Sequence, residues 1–153
     1  MVQQRGGEVH VLILALHEDD QNSQQVSKSL KESGHNVIQS KNFADAIRVL
    51  NSQHIDLIIS DVHLENGGNV FDFLRWVKKN PSTQETPFVL FSSRPTPAAK
   101  YFEDGVRTTA RVFGAAMYIT MEKFDSKEFR KQIDSLLPTQ EQAMELSTQE
   151  TGE

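Results

Sequence analysis

The sequence predicts a doubly wound α/β domain: a five-stranded parallel sheet with helices on both faces. Three observations carry this. Several strand-length apolar runs are continuous rather than alternating, as strands buried on both faces require; residues 9–16, 55–61 and 87–93 are the clearest. The segments between them space their apolar residues three and four apart, the period of a helix with one covered face. Strand and helix then alternate five times with short connections, and right-handed crossovers turn that order into a parallel sheet.

Residues 1–8 are polar and read as a flexible N-terminus. The first strand, residues 9–16 (Val-His-Val-Leu-Ile-Leu-Ala-Leu), runs into His17, Glu18, Asp19 and Asp20. Val26 and Leu30 mark the thin stripe of a helix that stops at Gly34. Val37 and Ile38 mark a short second strand. Asn42 is placed to cap a helix over 43–52, with Phe43, Ala46, Ile47 and Leu50 on one face. The third strand, 55–61, ends on Asp61, and the polar loop Glu65, Asn66, Gly67, Gly68 follows. Residues 70–77 read as a helix with Phe71, Leu74 and Val77 inward and Trp76 outward. Lys78 and Lys79 sit as solvated cations near its C-terminal end, and Asn80-Pro81 stops it.

Residues 87–93 are the fourth strand, ending on Ser92 and Ser93. In 95–113, Pro95 and Pro97 suit a helix start and Gly105 is expected to break the segment in two. Residues 115–120 are the fifth strand. Residues 123–137 form a last helix with Phe129, Ile133 and Leu136 as its ridge, ended by Pro138. Residues 138–153 are a polar tail or linker, in which Ala143, Met144 and Leu146 allow one further turn.

At 153 residues the chain is expected to be one domain, over about 9–137. It has no cysteine, which excludes disulfides, thiolate metal sites and cysteine nucleophiles. A net charge of −5 argues against a broad basic face for nucleic acid. No run nears the roughly 18 apolar residues of a membrane span, and the N-terminus lacks a signal-peptide core, so a soluble cytoplasmic protein is expected. No Gly-rich phosphate loop and no Ser-His-Asp arrangement is visible, so a hydrolase or nucleotide enzyme is not expected.

Ligands of parallel sheets sit at the carboxyl ends of the strands. The ends of the first and third strands can be neighbours there, which would set Glu18 and Asp19 beside Asp61. Carboxylates at close range repel, and a hard divalent cation relieves that cost. Mg²⁺ takes one or two carboxylates, keeps waters and binds a phosphate oxygen. Asp61 could then act as a nucleophile toward an activated phosphoryl group, with Ser92 donating to the phosphate. Plainer readings stand beside this: Glu18 and Asp19 as loop acids capping a helix, Asp61 as a cap before its loop, and His17 and His63, whose place flanking the acids suggests a transition-metal alternative, as scattered histidines without ligand spacing on a helix.

Over about residues 9–137 the chain resembles the receiver domain of two-component response regulators. The resemblance is carried by five stretches in order: Leu12 to Asp19, Leu57-Ile58-Ile59-Ser60-Asp61, Phe71-Asp72-Phe73-Leu74-Arg75, Pro87 to Ser92, and Gly114-Ala115-Ala116-Met117-Tyr118. It implies a flavodoxin-like sheet in the order 2-1-3-4-5. It implies Asp61 as phosphoacceptor, Glu18, Asp19, Asp61 and the backbone carbonyl of His63 around Mg²⁺, and Ser92 and Tyr118 as switch residues.

Three departures stand out. Met121-Glu122 occupies the usual Lys-Pro place, so either Lys123 reaches the site through a one-residue insertion or the phosphate-contacting lysine is absent. Glu65 replaces the usual loop proline, and segment 94–113 is longer than is usual. The resemblance implies a phosphoprotein of a phosphorelay rather than an enzyme. Its partners would be a histidine kinase or phosphotransfer protein and a downstream protein, with a homodimer also admitted and no nucleic acid or membrane. With only the polar tail after Pro138, a stand-alone module is expected. The alternative is a phosphorylation-independent pseudo-receiver acting as a protein-interaction scaffold.

Overall fold

The computed structural model describes residues 3–5, 8–62, 69–93 and 97–137. The elements in chain order are β1 (Gln3–Arg5), β2 (Glu8–His10), β3 (Leu12–Leu16), α1 (Asp20–Glu32), β4 (Asn36–Ser40), α2 (Phe43–Ser52) and β5 (Leu57–Asp61). There follow α3 (Val70–Lys79), β6 (Phe88–Ser93), α4 (Pro97–Tyr101), α5 (Glu103–Val112), β7 (Met117–Met121) and α6 (Ser126–Asp134). Strands β3 to β7 form a five-stranded sheet in the order β4-β3-β5-β6-β7, every neighbouring pair parallel. In chain rank that is the predicted 2-1-3-4-5.

Two apolar layers explain why the strands read as continuous runs. Leu14, Leu16, Ile58, Phe88 and Leu90 turn to one face, where Ala46 and Leu50 of α2, Phe73, Leu74 and Val77 of α3, and Ala110 of α5 cover them. Ile13, Ala15, Leu57, Ile59, Val89 and Phe91 turn to the other, under Val26 and Leu30 of α1 and Phe129 and Ile133 of α6. Successive residues thus serve opposite layers, and no position in the central strands is left for a polar side chain facing water. Each large side chain so buried contributes about 1.5–3 kcal/mol.

The local chemistry fixes most boundaries. Asn42 Oδ1 accepts from the Asp45 N–H at 2.8 Å and starts α2; Asn69 Oδ1 accepts from Phe71 N–H at 2.8 Å and starts α3. Gly34, at φ 87°, takes the left-handed turn that ends α1 and lets the chain re-enter as β4.

Several expectations shift. The first strand does not run unbroken from residue 9: Glu8–His10 pairs antiparallel with Gln3–Arg5, and the sheet strand begins at Leu12. On α3 the deeply buried ring is Phe73, not Phe71, because Val70, Phe73, Leu74 and Val77 form the covered stripe. Trp76 is half-buried and stacks near-parallel on Phe73, with ring centroids 6.4 Å apart. Lys78 is not a solvated helix end: its Nζ donates to the Gln84 and Thr86 carbonyls at 3.2 and 2.8 Å, and burial lowers its proton affinity.

The long segment after β6 breaks at Phe102 (φ −94°, ψ 3°), not at Gly105, which lies in the first turn of α5. A first-turn glycine costs helix propensity but forfeits no intrahelical donor partner. Helix α6 starts at Ser126 rather than 123, because Asp125 Oδ1 accepts from the Glu128 N–H at 3.1 Å. The expected turn through Ala143, Met144 and Leu146 lies outside the described residues. Among the described residues no helix is long and apolar enough to cross a membrane.

Candidate functional site

The register of the central strands decides what meets Asp61. β3 and β5 run parallel with Leu16 opposite Ser60, so the residue one step further on β3, His17, comes beside Asp61. Asp61 closes β5 opposite Phe91 of β6. Its side chain is 10% exposed and that of His17 is fully buried. His17 Nδ1 lies 2.5 Å from Asp61 Oδ1. A carboxylate can only accept, so the proton of this hydrogen bond sits on Nδ1. The second oxygen, Oδ2, accepts from the Glu18 backbone N–H at 3.3 Å.

The imidazole is held from several sides. The His17 N–H donates to the Ser40 carbonyl at 3.0 Å. The ring meets Phe91 edge-on, with centroids 6.2 Å apart and planes at 89°. Nε2 has no hydrogen-bond partner among the described residues. The short bond to Asp61 is thus the ring's one polar anchor among them, and it is shielded from competing water.

The predicted acids do not all gather here. Asp19 caps α1: its Oδ1 accepts from the N–H groups of Gln21 at 2.7 Å and Asn22 at 3.1 Å. A carboxylate is favoured there by the N–H groups of the first helical turn and the positive end of the helix dipole. Glu18 is half-buried and supplies its backbone N–H to Asp61. Asp20 turns outward to Lys41, 2.7 Å away. His63 lies outside the described residues.

Mg²⁺ asks for near-octahedral oxygen donors from one or two carboxylates plus waters. Among the described residues no three His, Cys, Asp or Glu side chains stand together as a metal-holding group. One oxygen of Asp61 is taken by a ring N–H and one of Asp19 by the helix end. The described residues therefore do not fit the magnesium site that the resemblance implies.

The neighbouring strand ends carry the second part of the site. Ser92 is buried on β6. Its hydroxyl is near enough to the phenol of Tyr118 on β7 to favour the phenolate. The pair lies diagonally across the β6/β7 ladder, where Leu90 faces Tyr118 and Ser92 faces Thr120. The Arg107 guanidinium of α5 stacks over the Tyr118 ring at 4.6 Å, its Nη1 reaches the Tyr118 carbonyl at 3.4 Å, and Glu103 holds its Nη2 at 3.2 Å. Burial pushes the Tyr118 phenol above its ordinary range; the Ser92 hydroxyl opposes this, Glu103 adds to it and Arg107 opposes it. Lys123 is exposed in the connection after β7. Before it, Glu122 is ion-paired with Lys100 of α4.

The sequence set Asp61 and Ser92 at strand ends and Tyr118 within the fifth strand, but the bond from His17 and the role of Arg107 were missed. The signal for His17 was its place directly after the first apolar run, one residue nearer the strand than the acids. Nothing in the sequence marked Arg107.

No protein-family model matches the chain, and no curated protein matches its sequence. Solved structures do match. The chemotaxis response regulator CheY4 of Vibrio cholerae is similar with a TM-score of 0.70 at 21% identity, over 84% of this chain and 99% of that one. A putative response regulator from Chloroflexus aurantiacus is similar with a TM-score of 0.69 at 18% identity, over 82% of this chain and 95% of that one. The receiver domain of a sensor histidine kinase from Pseudomonas aeruginosa, solved with a magnesium ion coordinated in its active-site cleft, gives 0.67 at 16% identity, over 82% and 96% of the two chains. The chain has the fold of these receiver domains.

Proposed function

We propose that this chain is a receiver module of two-component phosphorelay signalling, with Asp61 as the side chain that accepts a phosphoryl group. The observation that carries the reading is the carboxylate at the carboxyl end of the central strand, reachable at one rim and ringed by strand ends. The fold held in common with receiver domains supports it by analogy.

The chemistry follows from the two unequal oxygens of Asp61. Oδ1 is held by the His17 N–H, while Oδ2 has only the longer contact with the Glu18 N–H. Oδ2 is thus the attacking atom. It forms a bond to phosphorus as the bond from phosphorus to the donor breaks. The donor is a phosphohistidine of a kinase or phosphotransfer protein, and the departing imidazole takes its proton from solvent. The product is an acyl phosphate, which adds charge near −2 to the rim. The Ser92 hydroxyl is the nearest switch-type donor on the adjacent strand. Drawing it toward the phosphate would release Tyr118, and with it Arg107 and α5, so that a downstream protein or a second copy of the chain meets an altered face.

One observation favours a second reading. The Asp61 carboxylate already has hydrogen-bond partners on both oxygens. A module with a satisfied acid could present its surface constantly, without phosphate. Mass spectrometry separates the two. After incubation with acetyl phosphate or a cognate kinase, with and without Mg²⁺, a phosphate-sized mass increase is expected that the Asp61→Asn variant lacks. No increase with either donor refutes phosphoacceptance and leaves the constitutive scaffold.

A further inference from the structure

We infer that the Asp61 site takes no hard divalent cation, because the imidazole of His17 occupies the place and the role of one. The inference does not depend on Asp61 being a phosphoacceptor. It rests on how the carboxylate is held.

A cation bound at Asp61 must reach a carboxylate oxygen at about 2.0–2.1 Å and keep several waters around it. At Oδ1 that approach is closed by the His17 N–H, with nitrogen and oxygen 2.5 Å apart, and at Oδ2 it meets the positive end of the Glu18 backbone N–H, its nitrogen 3.3 Å away. The ring nitrogen, carrying its proton, cannot also be a ligand. The ring has no exposed surface, so no hydrated ion fits between it and the acid. Nor can the ring easily swing away. Its backbone is tied to β4 through the Ser40 carbonyl, and the ring packs in a T-shaped contact with Phe91.

The remaining donors point the same way. Asp19 gives an oxygen to two N–H groups at the start of α1, and withdrawing it would forfeit both of those hydrogen bonds. Among the described residues, only Glu18 then remains near Asp61 as a carboxylate on the same rim. One buried carboxylate with a fixed N–H partner lacks the excess negative charge that makes a cage of acids bind a hard ion. The imidazole N–H meets the need of the buried acid that a cation meets elsewhere.

The test is a Mg²⁺ titration of the full chain, with no phosphodonor present, read by isothermal calorimetry and by the amide resonances of Asp61 and Phe91. The wild-type protein is expected to show no saturable heat and no saturable shift at those amides through the millimolar range. His17→Asp replaces the ring with a carboxylate beside Asp61 and Glu18 and is expected to bind Mg²⁺ saturably, at least tenfold more tightly than the wild type. His17→Asn, which keeps an N–H donor for Asp61, is expected to stay blind to the ion. A saturable wild-type shift that Asp61→Asn removes would overturn the inference. A His17→Asp variant that folds, by circular dichroism, and still ignores Mg²⁺ would overturn the claim that the ring is the obstacle. Because no phosphate is transferred in this experiment, its outcome is independent of the mass-spectrometric test of Asp61.

Discussion

Cutting the bond between His17 and Asp61 is expected to destabilise the fold well beyond what a surface contact would. A hydrogen bond to a charged group is worth roughly 1.5–3 kcal/mol, and the larger end applies when removing one partner strands the other out of water. Here the His17 side chain is 0% exposed and the Asp61 side chain 10%, so solvent does little to replace the lost partner. His17→Ala, Asp61→Ala and the double variant form a thermodynamic cycle, and the coupling read from it should be about 2 kcal/mol. With a urea m-value of roughly 1–3 kcal/mol/M, each single variant should lower the unfolding midpoint by about 1 M. Circular dichroism in urea is the assay. The exposed Lys41–Asp20 pair, at the comparable distance of 2.7 Å, is the internal control and should show no measurable coupling. Additivity of the His17 and Asp61 variants to within about 0.5 kcal/mol would refute the reasoning.

Other consequences are equally direct. The Tyr118 phenol, raised by burial, holds its proton more tightly in the folded than in the unfolded chain. Its stabilising effect is therefore complete below the unfolded value of about 10 and lost as pH rises through the folded one. Tyr118→Phe should remove a phenolate absorbance step above pH 10 and flatten the alkaline fall in stability. Gly114→Ala should cost at least about 1–2 kcal/mol in urea unfolding, the penalty of a left-handed residue, since φ is 101° and the new Cβ would stand 3.3 Å from Lys78 Cγ. Lys100→Ala, which breaks the Glu122 pair at a half-exposed site, should change stability by no more than about 0.5 kcal/mol.

The layers of the fold were legible because the apolar code is redundant. Ile13 and Leu14, or Ile58 and Ile59, serve opposite faces, so a run of four or five such residues admits few readings other than a central strand. Helix faces are less forgiving. A turn of about 100° per residue separates Phe71 from its neighbours, and the choice between Phe71 and Phe73 for the deep position depends on what α3 packs against, here Phe43 and Phe88. The site was half legible. Asp61 stands out as a carboxylate closing an apolar run. Which residue meets it depends on the stagger between two strands separated by more than 40 residues, and a stagger of one replaces a cage of acids by a histidine. Asp19 shows the same ambiguity, since a helix start and a metal site both ask for a carboxylate just after a strand.

The last helix is stitched to the beginning of the chain. Ser29 Oγ meets Ser126 Oγ at 2.8 Å across 97 residues of sequence, and His35 Nε2 meets Asp134 Oδ1 at 3.2 Å across 99. The same imidazole takes the Val11 N–H on Nδ1 at 3.4 Å. During synthesis on a ribosome, β3, α1 and β4 emerge long before their cover. Phe129 and Ile133, which seal one apolar layer, arrive near the end. The nascent domain must therefore wait with part of that apolar layer uncovered until α6 has left the exit tunnel. Closure of so long a loop makes that step late and slow, and it is the interval in which a chaperone has greasy surface to hold.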